Sequence, residues 1–256
     1  MLKDCSDCSA YEFVQGDPAT LNAMLASGEI DVSSSSSIEY ARRWKEYLIL
    51  PGVSISSTGA VGSILLFSKK PIESLAGDAV SVSSASATSA VLLKALLKYR
   101  YKIDASYAPR APELAGMLAD ATAALLIGDE ALRERIALND PSIMIYDLGL
   151  LWQDFTGLPF VYALWIIRED SARRLPELAM RFGADIIKAK DAAEASYVNI
   201  AANTPESGWM GRQALVDYWK AMSYGLDDGH VAGLKMFFEM AVELGEAPEG
   251  FELRFL

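Results

Sequence analysis

Four times in its first half the chain runs from a short apolar segment into a cluster of small hydroxyl or glycine residues and on into a further element. That repetition favours folds in which strand ends gather at one place. The clearest instance is Ala79–Leu97, AVSVSSASATSAVLLKALL. Its first residues alternate as a half-buried strand does. Ser83, Ser84, Ser86, Thr88 and Ser89 then crowd a turn, and an apolar helix begins near Thr88. A helix start presents unpaired backbone N–H groups and the positive end of its dipole, which suits an anion. No charged side chain lies between Ala79 and Val91, so an anion there would be held by neutral donors. One hydroxyl is enough to cap a helix, so plain capping and a ligand site are both open readings of this turn. The other clusters are Ser33–Ser37, Ser56–Ser63 and Gly128–Asp129. If the sheets are parallel, these ends converge on one cleft, and the substrate-binding candidates are Ser36, Ser37, Ser57, Ser63, Ser84, Ala87, Thr88, Ser89, Gly128 and Asp129.

Around these turns the pattern predicts an α/β protein. Tyr11–Val14 reads as a short strand, and Asp17–Pro18 opens a helix over Ala19–Ser27 that Gly28 ends. Ile30–Val32 reads as a strand entering the serine run as a polar turn. Leu48–Leu50, Val53–Ser56, Val61–Ser68, Ile103–Tyr107 and Ile143–Asp147 are strand-like, while Ala121–Ile127 and Phe160–Ile167 are apolar enough to be buried strands. Ser171 is expected to cap a long, interrupted helical region ending near Ala202, and helices follow over Trp209–Ser223 and His230–Leu244. Strands and helices alternate early and helices dominate late, so the C-terminal helices are expected to fold back on a first lobe.

Composition narrows the partners. A formal net charge of −11 argues against nucleic acid or an anionic membrane as the main partner, since both need clustered Lys and Arg. No secretory signal opens the chain and no apolar stretch is long enough for a bilayer, so a cytoplasmic location is expected. Cys5 and Cys8 form a C-x-x-C with neither a second cysteine pair nor a preceding strand, which favours ordinary thiols; no metal is expected. His230 is the only histidine and opens a helix, so it reads as an N-terminal packing residue, and no Ser-His-Asp arrangement stands out. Glu39 reads as a capping carboxylate after the serine run, with ligand positioning as the other reading. Trp152, Phe155, Phe160, Tyr162 and Trp165 read as core, with one of them free to touch a ligand.

Longer segments carry a family resemblance. DVSSSSSIEYARRWKEYLILPGVSISSTGAVGSILLFSKKPIESL (Asp31–Leu75), ADATAALLIGDEAL (Ala119–Leu132), YDLGLLWQDFTGLPFVYALW (Tyr146–Trp165) and YWKAMSYGLDDGHVAGLKMFF (Tyr218–Phe238) resemble the futalosine-route menaquinone-biosynthesis proteins, chorismate dehydratases in particular. The resemblance covers the chain from about Gly16 onward. It implies a two-lobed, periplasmic-binding-protein-like type II fold with an interlobe cleft, residues 1–68 and 168–256 forming one lobe and 69–167 the other. The activity it implies is loss of water from chorismate to give 3-[(1-carboxyvinyl)oxy]benzoate without metal or organic cofactor, with a homodimer as the candidate assembly. The alternatives are the 1,4-dihydroxy-6-naphthoate synthase of the same route and a noncatalytic binding protein for small carboxylates. Family members usually begin with a strand carrying a Ser-Tyr-Leu-Asn-like segment whose Asn lies in the cleft. Nothing before Tyr11 matches it, so the catalytic base is unassigned and a chain without that segment is expected to show weakened or absent dehydratase activity.

Overall fold

The computed structural model describes residues 8–84 and 87–256. Its strands are β1 (Val32–Ser36), β2 (Tyr47–Ser57), β3 (Ile64–Ser68), β4 (Ala79–Ser83), β5 (Ser106–Arg110), β6 (Ala123–Ile127), β7 (Met144–Asp147), β8 (Phe160–Arg168) and β9 (Met222–Ser223). They form a four-stranded sheet in the order β1-β8-β2-β9 and a five-stranded sheet in the order β5-β4-β6-β3-β7. The chain divides into two compact units. One takes the chain up to Ser56 together with Val161–Val231 and Gly250–Leu256; the other takes Ser57–Phe160 and Ala232–Glu249. Among the described residues no helix is long and apolar enough to cross a membrane.

In the first unit, the helix Pro18–Ser27 starts where its sequence says it should. Asp17 accepts a hydrogen bond from Thr20 N at 3.0 Å, proline occupies the first turn, and Gly28 ends the helix at φ +83°. Its last carbonyls are gripped by guanidinium groups: Arg168 Nη1 donates to Leu25 O at 2.9 Å and Arg43 Nη2 to Ala26 O at 3.2 Å. The serine run corrects the expectation of a turn, for it is itself strand β1. Ser33 pairs with Ile166 and Ser35 with Leu164 of antiparallel β8, and both serines are buried. A ladder partner and the covering helix Pro18–Ser27 outweigh the low strand propensity of serine. Tyr11–Val14, in contrast, forms no strand. The two expected segments within 48–56 are one strand, β2, running through Pro51 and Gly52. Ser171 is not a cap: it lies buried inside the helix Glu169–Arg174, donating to Asp31 Oδ1 at 2.5 Å, and Pro176 starts the next helix, Pro176–Glu194. The C-terminal residues close this unit. Tyr40 Oη donates to Glu252 O at 2.8 Å and accepts from Arg254 N at 2.7 Å, while Ile49 N donates to Arg254 O at 2.8 Å and accepts in return, through its carbonyl, from Leu256 N at 3.0 Å.

In the second unit β3 and β6 are the buried centre, each an almost unbroken apolar run as strands covered on both faces must be. Leu65, Phe67, Leu114, Met117, Leu118, Ala124, Leu126 and Ala131 pack on this sheet as one cluster. A second cluster is aromatic. Trp152 meets Phe160 edge-on at 5.1 Å between centroids and Phe160 meets Phe237 at 4.8 Å, so Trp152 and Phe160 belong to the core. The helix Asp228–Glu243 approaches the backbone at Pro159 closely through Gly233.

Candidate functional site

The five-stranded sheet is mixed, not parallel, and this changes how its strand ends meet. β5, β4 and β6 run parallel, so Arg110, Ser83 and Ile127 stand at one end of the sheet. β3 runs antiparallel to β6, pairing Ile64 with Ile127, and therefore brings its beginning to that same end. β7 is antiparallel to β3 in turn, with Asp147 opposite Leu65. The turn 57–63, the turn after β4, the start of the helix Gly128–Ala137 and the start of the helix Leu148–Thr156 thus share one edge. Of the ten expected residues, Ser57, Ser63, Ser84, Ala87, Thr88, Ser89, Gly128 and Asp129 lie there in the second unit, while Ser36 and Ser37 belong to the first.

Each of these turns is built by short contacts. Gly128 takes φ +64°, a left-handed conformation natural to glycine, and its N–H donates to Ser63 O at 2.7 Å. That N–H is therefore committed within the protein. Ser57 Oγ donates to Gly59 O at 3.0 Å, and Ser84 N donates to Arg110 O at 3.0 Å. The helix Ala87–Ala95 has no acidic residue in its first turn, and Thr88 and Ser89 there are buried. Ser86 lies outside the described residues. Asp147, which sequence reasoning marked only as a strand end, ties the edge together: its carboxylate accepts from Val61 N at 3.1 Å, Gly62 N at 2.6 Å and Leu150 N at 3.1 Å. The bond to Leu150 is an N-cap that an aspartate three residues earlier could have announced. The bonds to residues 61 and 62 span more than eighty positions and leave no local pattern.

In the first unit Ser36 stands at the N-cap of the helix Ser37–Arg42 without a side-chain cap bond. Glu39 lies in the first turn of that helix. Burial raises the carboxyl of Glu39 above the usual carboxylate range, with Arg43 and Arg42 pulling it back. At the end of β2, Ser54 Oγ donates to Gly225 O and lies 3.0 Å from Ser56 Oγ, and Ser56 Oγ donates to Ser223 O at 2.9 Å. His230 is buried in the first turn of its helix, as expected of a packing residue. It also completes an arrangement the sequence did not reveal: Nδ1 lies 2.7 Å from Asp227 Oδ1 and Nε2 lies 3.1 Å from Ser223 Oγ. The loop 224–227 carries β9 into the helix and brings these three side chains together.

A cavity of about 420 Å³ lies wholly in the first unit, lined among others by Tyr11, Phe13, Trp165, Ile167, Leu175 and Phe182. Its carboxylates, Glu12, Glu29 and Asp31, disfavour a dianionic ligand, and none of the ten expected residues lines it. Cys8 is a half-buried cysteine near this segment, and Cys5 lies outside the described residues. Tyr11 stacks edge-on against Phe182 at 5.2 Å and donates to Asp185 Oδ2 at 3.0 Å. Burial and that hydrogen bond push its phenol up to about 12 from 10.0. A raised folded-state value means the contribution is complete below pH 10.0 and is lost as pH rises towards 12. Urea midpoints of the wild type and Tyr11→Phe should therefore draw together between those two pH values; a constant gap would show that Tyr11 does not titrate with unfolding.

By structure the chain has a periplasmic-binding-protein-like fold. It matches the periplasmic aliphatic sulphonate binding protein SsuA of Escherichia coli with a TM-score of 0.62 at 15% identity, over 93% of this chain and 82% of that one. Protein AF1704 of Archaeoglobus fulgidus matches with a TM-score of 0.68 at 24% identity, over 91% of this chain and 86% of that one. By sequence the chain belongs to the menaquinone biosynthesis family, whose model matches residues 2–243. A chorismate dehydratase of Thermus thermophilus is 35% identical over 177 residues, covering 63% of this chain and 63% of that protein. The chain thus spans less than two thirds of the length of that relative.

Proposed function

We propose that this protein is a chorismate dehydratase, removing water from chorismate to give 3-[(1-carboxyvinyl)oxy]benzoate in the futalosine route to menaquinone. Family membership and the dehydratase relative support the reaction class. The observation that supports a substrate site is the one end of the five-stranded sheet that holds buried hydroxyls, a helix start free of acidic residues and the Asp147 clamp.

Chorismate carries two carboxylates, and loss of water with removal of a proton leaves an aromatic ring. Much of the driving force therefore belongs to the substrate, and the protein has chiefly to bind and orient it. One carboxylate is assigned to the backbone N–H groups of Ala87, Thr88 and Ser89, where the helix dipole and the Thr88 hydroxyl favour negative charge. Ser57, Ser63 and Ser84 line the same edge, and Gly128 and Asp129 shape it.

The test is to incubate the purified chain with chorismate and follow the ultraviolet spectrum of the product. Thr88→Val keeps shape and removes the hydroxyl. A hydrogen bond to a charged group contributes about 1.5–3 kcal/mol, so chorismate should bind roughly ten- to a hundredfold more weakly. Thermal stabilisation by chorismate without product would replace the enzymatic reading with a binding one; neither stabilisation nor product would end both.

A further inference from the structure

We infer that Ser223 is an activated nucleophile, with His230 as its base and Asp227 as the orienting carboxylate, that accepts acyl or phosphonyl groups from small activated esters. The site is independent of the dehydratase reading and lies within the first unit.

The proton positions follow from the partners. An ionised carboxylate can only accept, so His230 Nδ1, 2.7 Å from Asp227 Oδ1, carries the hydrogen. In the neutral imidazole the lone pair is then on Nε2, and Ser223 Oγ, 3.1 Å away, is the donor. This is the polarity a nucleophilic serine requires: hydroxyl to base, base to orienting acid. Asp227 is fixed twice over, because the same oxygen caps the helix by accepting from His230 N at 3.0 Å. Those two bonds hold its carboxyl below the usual range, so it stays ionised while it orients the ring. His230 is buried at 6% exposure, which limits competition from water for its nitrogens, whereas Ser223 keeps part of its surface open. Ser56 Oγ donates to the carbonyl of Ser223 and anchors the backbone that carries the nucleophile.

In the acyl transfer, Ser223 Oγ bonds to the ester carbonyl carbon as its proton passes to His230 Nε2. The tetrahedral adduct then expels the alcohol oxygen, which takes that proton from Nε2. Water, deprotonated by Nε2, adds to the acyl carbon, and Ser223 leaves with the proton restored. No oxidant, metal or further reactant enters. With a fluorophosphonate, Ser223 Oγ bonds to phosphorus as the P–F bond breaks, its proton passes to His230 Nε2, fluoride leaves, and the phosphonyl serine is the lasting product.

The experiment treats the full chain with a fluorophosphonate probe and locates the adduct by peptide mass spectrometry. Ser142 is an internal control, an exposed serine whose Oγ donates directly to Asp140 at 2.7 Å and has no imidazole beside it in that pairing. Ser223 should be modified at least about tenfold faster than Ser142. His230→Gln and Asp227→Asn should each slow the modification at least about tenfold, since a positioned base contributes about 10²–10⁴-fold. Asn is as good an N-cap as Asp, so Asp227→Asn decides the matter if His230→Gln fails to fold. Labelling of Ser223 no faster than of Ser142, or labelling unchanged in a folded Asp227→Asn, would overturn the assignment.

Discussion

Gly233→Ala destabilises the second unit by about 3 kcal/mol, an overpacking effect that reverses the sign expected from helix propensity. A Cβ at this position would lie 2.1 Å from Pro159 O and 3.5 Å from Leu158 Cβ. The obstacle is backbone, and it is held in place, because Trp152 Nε1 donates to that same carbonyl at 3.3 Å. Relief requires moving the helix or the 158–159 turn and disturbs the Trp152–Phe160–Phe237 cluster. Gly183 is the control. It too lies in a helix, Pro176–Glu194, but its added Cβ would meet only Leu50 Cδ2, at 3.7 Å. Gly183→Ala should gain up to about 1 kcal/mol from the better helix former. Thermal unfolding of the two variants should therefore move in opposite directions, the Gly233 variant falling by roughly 6–12 °C. A Gly233→Ala protein that melts with the wild type would show that the close approach is not real.

Asp147→Ala should cost about 3 kcal/mol, because it removes the acceptor of three backbone donors at once, and under the proposed function it should lower chorismate turnover at least tenfold. Val61 is buried, so its N–H finds little water in exchange. Without the clamp residues 61 and 62 lose their anchor, and the turn 57–63 is left with the Gly128 N–H to Ser63 O bond at the end of the sheet. Asp147→Asn keeps one acceptor oxygen and should fall between the wild type and alanine in both measurements. Unchanged turnover in a folded alanine variant would separate the clamp from the site.

Legibility in the sequence tracked the range of the interaction. The helix Pro18–Ser27 was readable because Asp17, Pro18 and Gly28 act on their own neighbours. β6 was readable because a strand covered on both faces must be apolar throughout. The serine run misled because a ladder with β8, more than a hundred and twenty residues away, decides its conformation. Asp147 hid for the same reason, its cap visible and its longer reach not. The gathering of strand ends was anticipated on the assumption of parallel sheets. The ends of β4, β5 and β6 do meet through parallel pairing, whereas β3 brings its start there by running antiparallel to β6, an order that single segments do not encode. His230 was correctly placed at a helix start. Its link to Ser223 depends on the path of an irregular loop, to which neither helical nor strand periodicity applies.

The first unit is assembled from three separated stretches, and the last, Gly250–Leu256, threads its backbone between Tyr40 and Ile49. During synthesis Gly250–Leu256 is made after both the stretch up to Ser56 and the stretch Val161–Val231. Until then the Ile49 backbone and the Tyr40 hydroxyl lack these partners. The unit therefore cannot reach its final form domain by domain from the N-terminus, and a nascent chain halted before Gly250 would hold it in a loosened state, open to chaperones and proteases alike.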